Sequence, residues 1–147
     1  MASGDSSFTL IAWIKPLSGC TACPFHLARL AYHNGFALGS CTQMKFNLYD
    51  SLNNATVLTY NGSTDIWYHV VETWRSLDGF MELYFNGQLQ QTGYRAKPLK
   101  NLGAFKIGGY LGGSAACYGS KVTIDEVRIY KRALSDAEIK ALYYATK

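Results

Sequence analysis

Four cysteines have the spacing that says most about possible chemistry. Cys20 and Cys23 form a CxxC pair, whereas Cys41 and Cys117 lie far from that pair and from each other. A redox CxxC site opens a helix that follows a strand, and no helical pattern follows this pair. A zinc site made of four cysteines usually has two close pairs, and this chain has one. We therefore expect disulfides. All three pairings stay open, and a direct Cys20–Cys23 bond, which closes a tight loop, is the least favoured.

Carboxylates are the second group that could do chemistry. Glycosidases place two carboxyl groups beside the glycosidic bond that they cleave. The two acidic residues closest together in this sequence are Asp125 and Glu126. Adjacent residues of a strand point to opposite faces of a sheet, so we expect that these two cannot act together. The sequence also has no nucleophile elbow and no phosphate-binding loop. It therefore predicts a protein that is not an enzyme and has no cofactor.

Tyrosines beside small or polar residues are the candidates for ligand binding. Tyr110 and Tyr118 lie in a glycine-rich segment, and tyrosine rings are common in recognition surfaces and can cover the apolar face of a sugar. Lys45, Asn47 and Tyr49 alternate with apolar residues and would form a polar stripe on the outside of a strand. The plainer alternatives are rings that cover the rim of the core and an ordinary solvated strand face.

The composition is that of a folded domain with a hydrophobic core. Apolar residues make up 48% of the 147 positions, charged residues only 16%, and 11 residues are tyrosines. Such a chain is not disordered, and its length suits one domain. The net charge of +4 lacks the dense basic stripe of a nucleic-acid-binding protein. Because no stretch approaches the roughly 20 apolar residues of a membrane span, we expect neither nucleic acid nor membrane insertion.

Short strands account for most of the chain. Runs of alternating or β-branched residues recur at intervals of about ten residues, separated by turn signals such as Asn86-Gly87, which favours a two-residue hairpin. We expect Trp13, Trp67 and Trp74, which fall in these runs, to lie in the core. The predicted strands are 8–14, 25–31, 35–39, 43–49, 56–60, 67–74, 80–85 and 88–92.

The last third of the chain predicts two more strands and a helix. One strand covers 105–109, and a longer one begins at Val122. Ser135 is a good N-cap, and Glu138 three positions later completes a capping box. The helix of about ten residues would place Ile139, Leu142 and Tyr143 on one face.

Strand direction predicts where the loops gather. If neighbouring strands alternate in direction, the loop between Pro16 and Pro24, the turn at Cys41, the turns at 61–62 and 86–87 and the segment 110–119 share one rim. All four cysteines then lie at that rim, where bridges would hold the loops together.

Four of these segments, in this order, resemble the laminin-G-like domains of the concanavalin A-like jelly-roll superfamily, which also holds the pentraxins. The early strand Phe8–Pro16, the central strand Trp67–Val71, the hairpin Gly79–Gly87 and the closing run up to Ile139 carry the resemblance. It implies an all-β, two-sheet antiparallel jelly-roll sandwich with one short C-terminal helix. The domain would span 8–147, and residues 1–7 would be added or linker residues.

The resemblance implies a function as well as a fold. Such domains are mostly non-catalytic carbohydrate-binding or adhesion modules of larger secreted proteins, which bind a glycan or an extracellular protein through rim loops. Pentraxin-like members bind calcium through the loop that corresponds to residues 110–119, and that segment has no carboxylate here. We therefore expect no metal, an extracellular or cell-surface location, and oxidised cysteines.

A structural role is the alternative. Full members of the family usually carry one or two strands before the early strand, and only seven residues precede Phe8 in this sequence. A neighbouring chain could supply the missing strand by strand addition, which would make the protein a homo-oligomeric assembly subunit.

Overall fold

The computed structural model describes residues 6–19, 25–30, 34–38, 42–100, 105–107 and 121–147. Six residues singled out from the sequence lie outside this part of the chain: Cys20, Cys23, Cys41, Tyr110, Cys117 and Tyr118.

Two antiparallel five-stranded sheets form the body of the protein. The strands are β1 (Phe8–Pro16), β2 (Phe25–Leu30), β3 (Gly35–Leu38), β4 (Gln43–Tyr49), β5 (Ala55–Asn61), β6 (Tyr68–Arg75), β7 (Phe80–Phe85), β8 (Gln88–Tyr94), β9 (Phe105–Ile107) and β10 (Val122–Tyr130), followed by helix α1 (Asp136–Thr146). The first sheet has the order β10-β1-β6-β7-β8, and the second has the order β5-β4-β3-β2-β9. The predicted two-sheet sandwich with one C-terminal helix is confirmed.

The main core lies between the two sheets. Strand β4 shows the predicted alternation, because Met44, Phe46 and Leu48 are fully buried while the residues between them are half-buried. Trp74 is also fully buried in this core, and its ring lies 6.0 Å from that of Phe8. Burial of these large side chains is the main favourable contribution to folding.

A second apolar cluster lies on the outer face of the first sheet, under α1. Ile139 of the helix packs there with Ile11, Val71 and Tyr84. Strand β1 is therefore buried on both faces from Phe8 to Ala12, which a simple alternation of inside and outside does not foresee. No helix in the described part of the chain is long and apolar enough to cross a bilayer.

The start of α1 is held as the sequence predicts. The Ser135 hydroxyl accepts a hydrogen bond from the Glu138 backbone N–H, and the Glu138 carboxylate accepts one from the Ser135 N–H at 2.8 Å. Thr9 of β1 ties this point to the sheet, because its hydroxyl accepts from Leu134 N at 2.9 Å and donates to Arg132 O at 2.8 Å. The capping box thus places the helix over β1.

Several of the turns predicted to share a rim lie within the described residues, and backbone hydrogen bonds place them at one end of the sandwich. Asp65 N donates to Pro16 O at 2.6 Å, and Gly62 N donates to Thr42 O at 2.9 Å. The hairpin turn lies at the same end, where Asn86 N donates to the carbonyl of His69 near the start of β6. Asn86 and Gly87 both have positive φ, 52° and 75°, which is the conformation of a type I′ turn.

Candidate functional site

A β-bulge in β10 shapes the candidate site. Asp125 pairs with Trp13, but Arg128 pairs with Ile11, so that two residues of β10 stand opposite the single Ala12 of β1. Glu126, the first of the two, has a φ of +50°, a left-handed conformation that few residues other than glycine adopt. A bulge of this kind redirects side chains and increases the local twist of the strand.

The bulge opens onto a pocket of about 410 Å³ on the outer face of the first sheet. This volume falls within the roughly 300–1,000 Å³ that small-molecule sites occupy. The pocket lies beside the C-terminal end of α1, and the residues that line it are Trp13, Trp67, Asp125, Glu126, Thr146 and Lys147.

The presence of both acidic residues in the lining of one pocket corrects the sequence-based expectation. Asp125 and Glu126 were expected on opposite faces of a regular strand, and in a regular strand they would be. The extra residue and the positive φ of Glu126 break the two-residue period at this point, so both residues line the pocket.

Two indole rings form the aromatic part of the pocket. Trp13 is held in place, because its Nε1–H donates to Thr146 Oγ1 at 2.9 Å and its ring lies 5.2 Å from His69 and 5.9 Å from Tyr143. Trp67 leaves 38% of its surface exposed. A fixed ring beside an exposed one gives a rigid surface that costs little conformational entropy on binding.

The core prediction for the three tryptophans is right for one and wrong for another. Trp74 is in the core. Trp67 is not, because it precedes β6 and lies exposed at the end of the sheet. Trp13 is half-buried on the outer face of β1, where the end of α1 covers part of it.

The charged groups of the pocket differ in how they are paired. One oxygen of Asp125 accepts a hydrogen bond from Glu126 N at 2.8 Å, and its second oxygen has no partner among the described residues. The Glu126 carboxylate pairs with Arg128 at 2.8 Å. The Lys147 ammonium lies 5.9 Å from the ring centres of Tyr143 and Tyr144, within reach of a cation–π contact. Asp125 therefore carries the carboxylate that remains available to a ligand.

His69 supports the aromatic wall from behind. It is buried, and burial together with the positive charge of Arg128 lowers its pKa to about 4. The ring is therefore neutral at pH 7 and packs between Trp13 and Tyr143, 5.7 Å from the latter. These contacts give His69 a packing role, and its Nδ1 has no hydrogen-bond partner among the described residues.

The arrangement suits binding better than catalysis. Hydrolysis of a glycoside needs one carboxyl group that stays protonated near neutral pH, which burial usually provides. Asp125 and Glu126 are both exposed, and the carboxylate of Glu126 is held in an ion pair. The buried Glu72 pairs with Leu10 and belongs to the inner face of the sheet, away from the pocket. Among the described residues, no group of three or more His, Cys, Asp or Glu could hold a metal ion.

The predicted polar stripe lies on the opposite side of the molecule. Lys45, Asn47 and Tyr49 are half-buried on the outer face of the second sheet. On one side Asn47 pairs with Gly35, and Lys45 pairs with Ala37. These three residues share a face, as predicted, but they do not meet the tryptophan pocket on the first sheet.

One sequence signal could have revealed the bulge that shapes the pocket. The apolar residues of β10 that pack on the core are Val122, Ile124 and Val127. The first two are separated by two positions and the last two by three, which is the mark of one inserted residue. No sequence signal indicates that Thr146 and Lys147 line the pocket, because their position depends on where α1 docks.

Most of the sequence matches a known family. A laminin G family model, described as the concanavalin A-like lectin/glucanases superfamily, matches residues 2–140. The sequences of curated proteins give no significant match to the chain.

Several solved structures share the fold. The receptor-binding domain of botulinum neurotoxin D superposes with a TM-score of 0.76 at 18% identity, covering 96% of this chain and 37% of that one. The binding domain of Paraclostridial Mosquitocidal Protein 1 gives 0.76 at 18% identity, with 98% and 38% covered. The receptor-binding domain of botulinum neurotoxin type G gives 0.76 at 16% identity, with 96% and 38% covered. The chain thus spans little more than a third of the domains it resembles.

Proposed function

The chain belongs to the laminin G family of the concanavalin A-like lectin/glucanases superfamily, and we propose that it is a non-catalytic carbohydrate-binding module. The observation that carries the proposal is the pocket formed by Trp13, Trp67 and Asp125. Sugars present one face of C–H groups and a rim of hydroxyls. Indole rings cover the former, and the Asp125 oxygen that has no partner among the described residues accepts from the latter.

The similar solved structures support binding as the general role. Their names describe receptor-binding or binding domains, and the fold they share with this chain places loops and sheet faces on the surface. Fold alone does not determine a ligand, so the proposal depends on the pocket and not on those likenesses.

Two other surfaces are proposed as additional contacts. Tyr110 and Tyr118 would extend the binding surface at the rim, and Lys45, Asn47 and Tyr49 offer polar groups on the second sheet. An extracellular protein is the alternative partner for these surfaces. Binding at the rim would not require a metal, because residues 110–119 contain no carboxylate.

An extracellular or cell-surface location within a larger secreted protein is part of the proposal. In that setting we expect Cys20, Cys23, Cys41 and Cys117 to be oxidised. The mass of the intact, unreduced protein after treatment with an alkylating reagent checks this. No added label is the expected result, and four labels would contradict it.

A glycan array tests the function. We expect the purified domain to bind a defined set of glycans, equally well with and without a chelator. The Trp67→Ala variant should lose affinity at least tenfold, about 1.4 kcal/mol, because an exposed stacking surface is removed and the core is untouched. Trp67→Phe keeps a ring and should keep most of the affinity.

Tyr94→Ala is the matched control, since Tyr94 is an exposed aromatic residue on β8, at the far edge of the same sheet. Equal binding by Trp67→Ala and the unaltered domain would move the site to the rim or to the second sheet. Absence of any bound glycan would refute the carbohydrate-binding function.

A further inference from the structure

The charge inside the pocket carries an inference about its ligand, which rests on the proposed function. Four charged side chains lie in or beside the pocket: Asp125, Glu126, Arg128 and Lys147. Glu126 and Arg128 neutralise each other at 2.8 Å. Lys147 lies on the rings of Tyr143 and Tyr144, away from any ion pair with a described carboxylate.

One carboxylate oxygen of Asp125 is bound to the backbone. Its Oδ1 accepts a hydrogen bond from the backbone N–H of Glu126 at 2.8 Å, and the left-handed conformation of Glu126 belongs to the same bulge. The remaining oxygen of Asp125 can therefore accept a hydrogen bond from a ligand with a smaller loss of side-chain conformational entropy. An ionised carboxylate accepts hydrogen bonds and cannot donate them.

A ligand must therefore offer donors to Asp125 and an apolar face to Trp67. An uncharged pyranose offers both, with its hydroxyl hydrogens and its C–H face. A sialic acid, a uronic acid or a sulfated sugar brings an anion that can only accept, and this anion would lie beside a like charge. Specificity built on such a repulsive element is common at binding sites.

We propose that the tryptophan pocket selects uncharged pyranosides and rejects acidic ones, and that Asp125 is the specificity-determining residue. A positively charged amino sugar is the other ligand that Asp125 could attract. Lys147 also lines the pocket, and its positive charge opposes such a ligand, so we expect neutral sugars to be preferred over amino sugars as well.

An array of matched glycans tests this inference, in which each neutral glycan has an acidic and an amino counterpart on the same core. We expect the unaltered domain to bind neutral members at least tenfold better than their acidic counterparts. Asp125→Asn keeps an oxygen for the Glu126 N–H but removes the charge, so the preference should shrink to less than threefold. Asp136→Asn, at the other end of α1, is the matched control and should leave the preference unchanged.

Lys147→Ala should change the preference against acidic glycans in the opposite direction to Asp125→Asn. Removal of a positive charge should strengthen the rejection of acidic glycans and improve the binding of amino sugars. Circular dichroism confirms that each variant is folded.

The outcomes separate the inference from the function. Equal or tighter binding of acidic or amino glycans overturns the inference and leaves the carbohydrate-binding function in place. A preference that Asp125→Asn does not change also overturns it. Failure of the domain to bind any glycan on the array refutes the proposed function itself.

Discussion

Glu72 is an unusual residue for the centre of a β-sandwich. It pairs with Leu10 on one side and Leu83 on the other, and it shares the inner face of β6 with the core residue Trp74. Its side chain is buried, and neither carboxyl oxygen has a hydrogen-bond partner among the described residues. Burial therefore raises the pKa of this carboxyl well above its ordinary value of 4.5, because the charged form is poorly solvated there.

The raised pKa predicts that stability falls as the pH increases. In the unfolded chain Glu72 loses its proton near pH 4.5, whereas in the folded protein it keeps the proton to higher pH. Between these two pKa values the folded state binds more protons, so the free energy of unfolding decreases as pH rises through that interval. We expect Glu72→Gln to be more stable than the unaltered protein at pH 8, by about 1 to 3 kcal/mol, and to gain less at pH 5.

Urea denaturation at pH 5 and pH 8 measures the difference. His69 titrates in the opposite sense, since its lowered pKa of about 4 costs stability as pH falls from 6.5 towards 4. That contribution is common to both proteins and cancels in the comparison. A gain that is the same at both pH values would show that the Glu72 carboxyl titrates normally.

At the scale of elements, α1 links the stability of the fold to the pocket. Ile139 docks the helix on Ile11 and Val71, and the end of the helix then supplies Thr146 and Lys147 to the pocket. The hydrogen bond from Trp13 to Thr146 connects the same helix end to β1. A helix that frays or shifts would therefore alter the site without any change in the residues that touch a ligand.

The capping box predicts a measurable contribution from Ser135. Its hydroxyl accepts from Glu138 N, and Ser135→Ala leaves that N–H without its partner. We expect a loss of about 1 kcal/mol, seen as a decrease of roughly 2–4 °C in the melting temperature. Thermal unfolding followed by circular dichroism measures it.

Ser135→Thr is the matched control, because threonine is also an N-cap residue and keeps the hydroxyl that contacts the Glu138 carboxylate at 3.1 Å. It should retain the stability that Ser135→Ala loses. Equal melting temperatures for all three proteins would mean that tertiary packing of Ile139 alone holds the helix start.

At the scale of the whole molecule, the sheet edges bear on the alternative of assembly by strand addition. One side of the sandwich is bridged between β5 and β8, where Thr59 N donates to Gln91 Oε1 at 2.6 Å and Thr56 Oγ1 donates to Tyr94 O at 2.6 Å. On the other side no described strand lies beyond β10. That edge carries a bulge and the charges of Asp125, Glu126 and Arg128, which are the devices that protect exposed edges from pairing.

The edges therefore predict a monomer. Size-exclusion chromatography with light scattering should give a mass near 16.3 kDa for this chain across a range of concentrations. Open-ended polymers, or a mass that grows with concentration, would contradict this and favour the assembly role.

Local patterns in the sequence were enough to determine the elements of this protein. The alternation around Met44, the positive-φ turn at Asn86-Gly87 and the capping box at Ser135 each act over a few neighbouring residues, and each appears as predicted. Their order along the chain was enough to indicate the two-sheet sandwich, because strand period and turn type leave few ways to pair consecutive strands.

The tertiary structure alone decided where the pocket lies. Trp13 and Asp125 are brought together by the β1–β10 pairing, and Thr146 by the docking of α1, across separations of more than 100 residues. Whether Trp67 is buried depends on what covers the end of the sheet, which no local pattern of residues encodes. The bulge at Glu126 lets two neighbouring acidic residues line one cavity only because β10 is held in register with β1 on both sides of it. Local propensity acts through adjacent residues, whereas a binding site is assembled by contacts between segments that only the packed fold brings within reach.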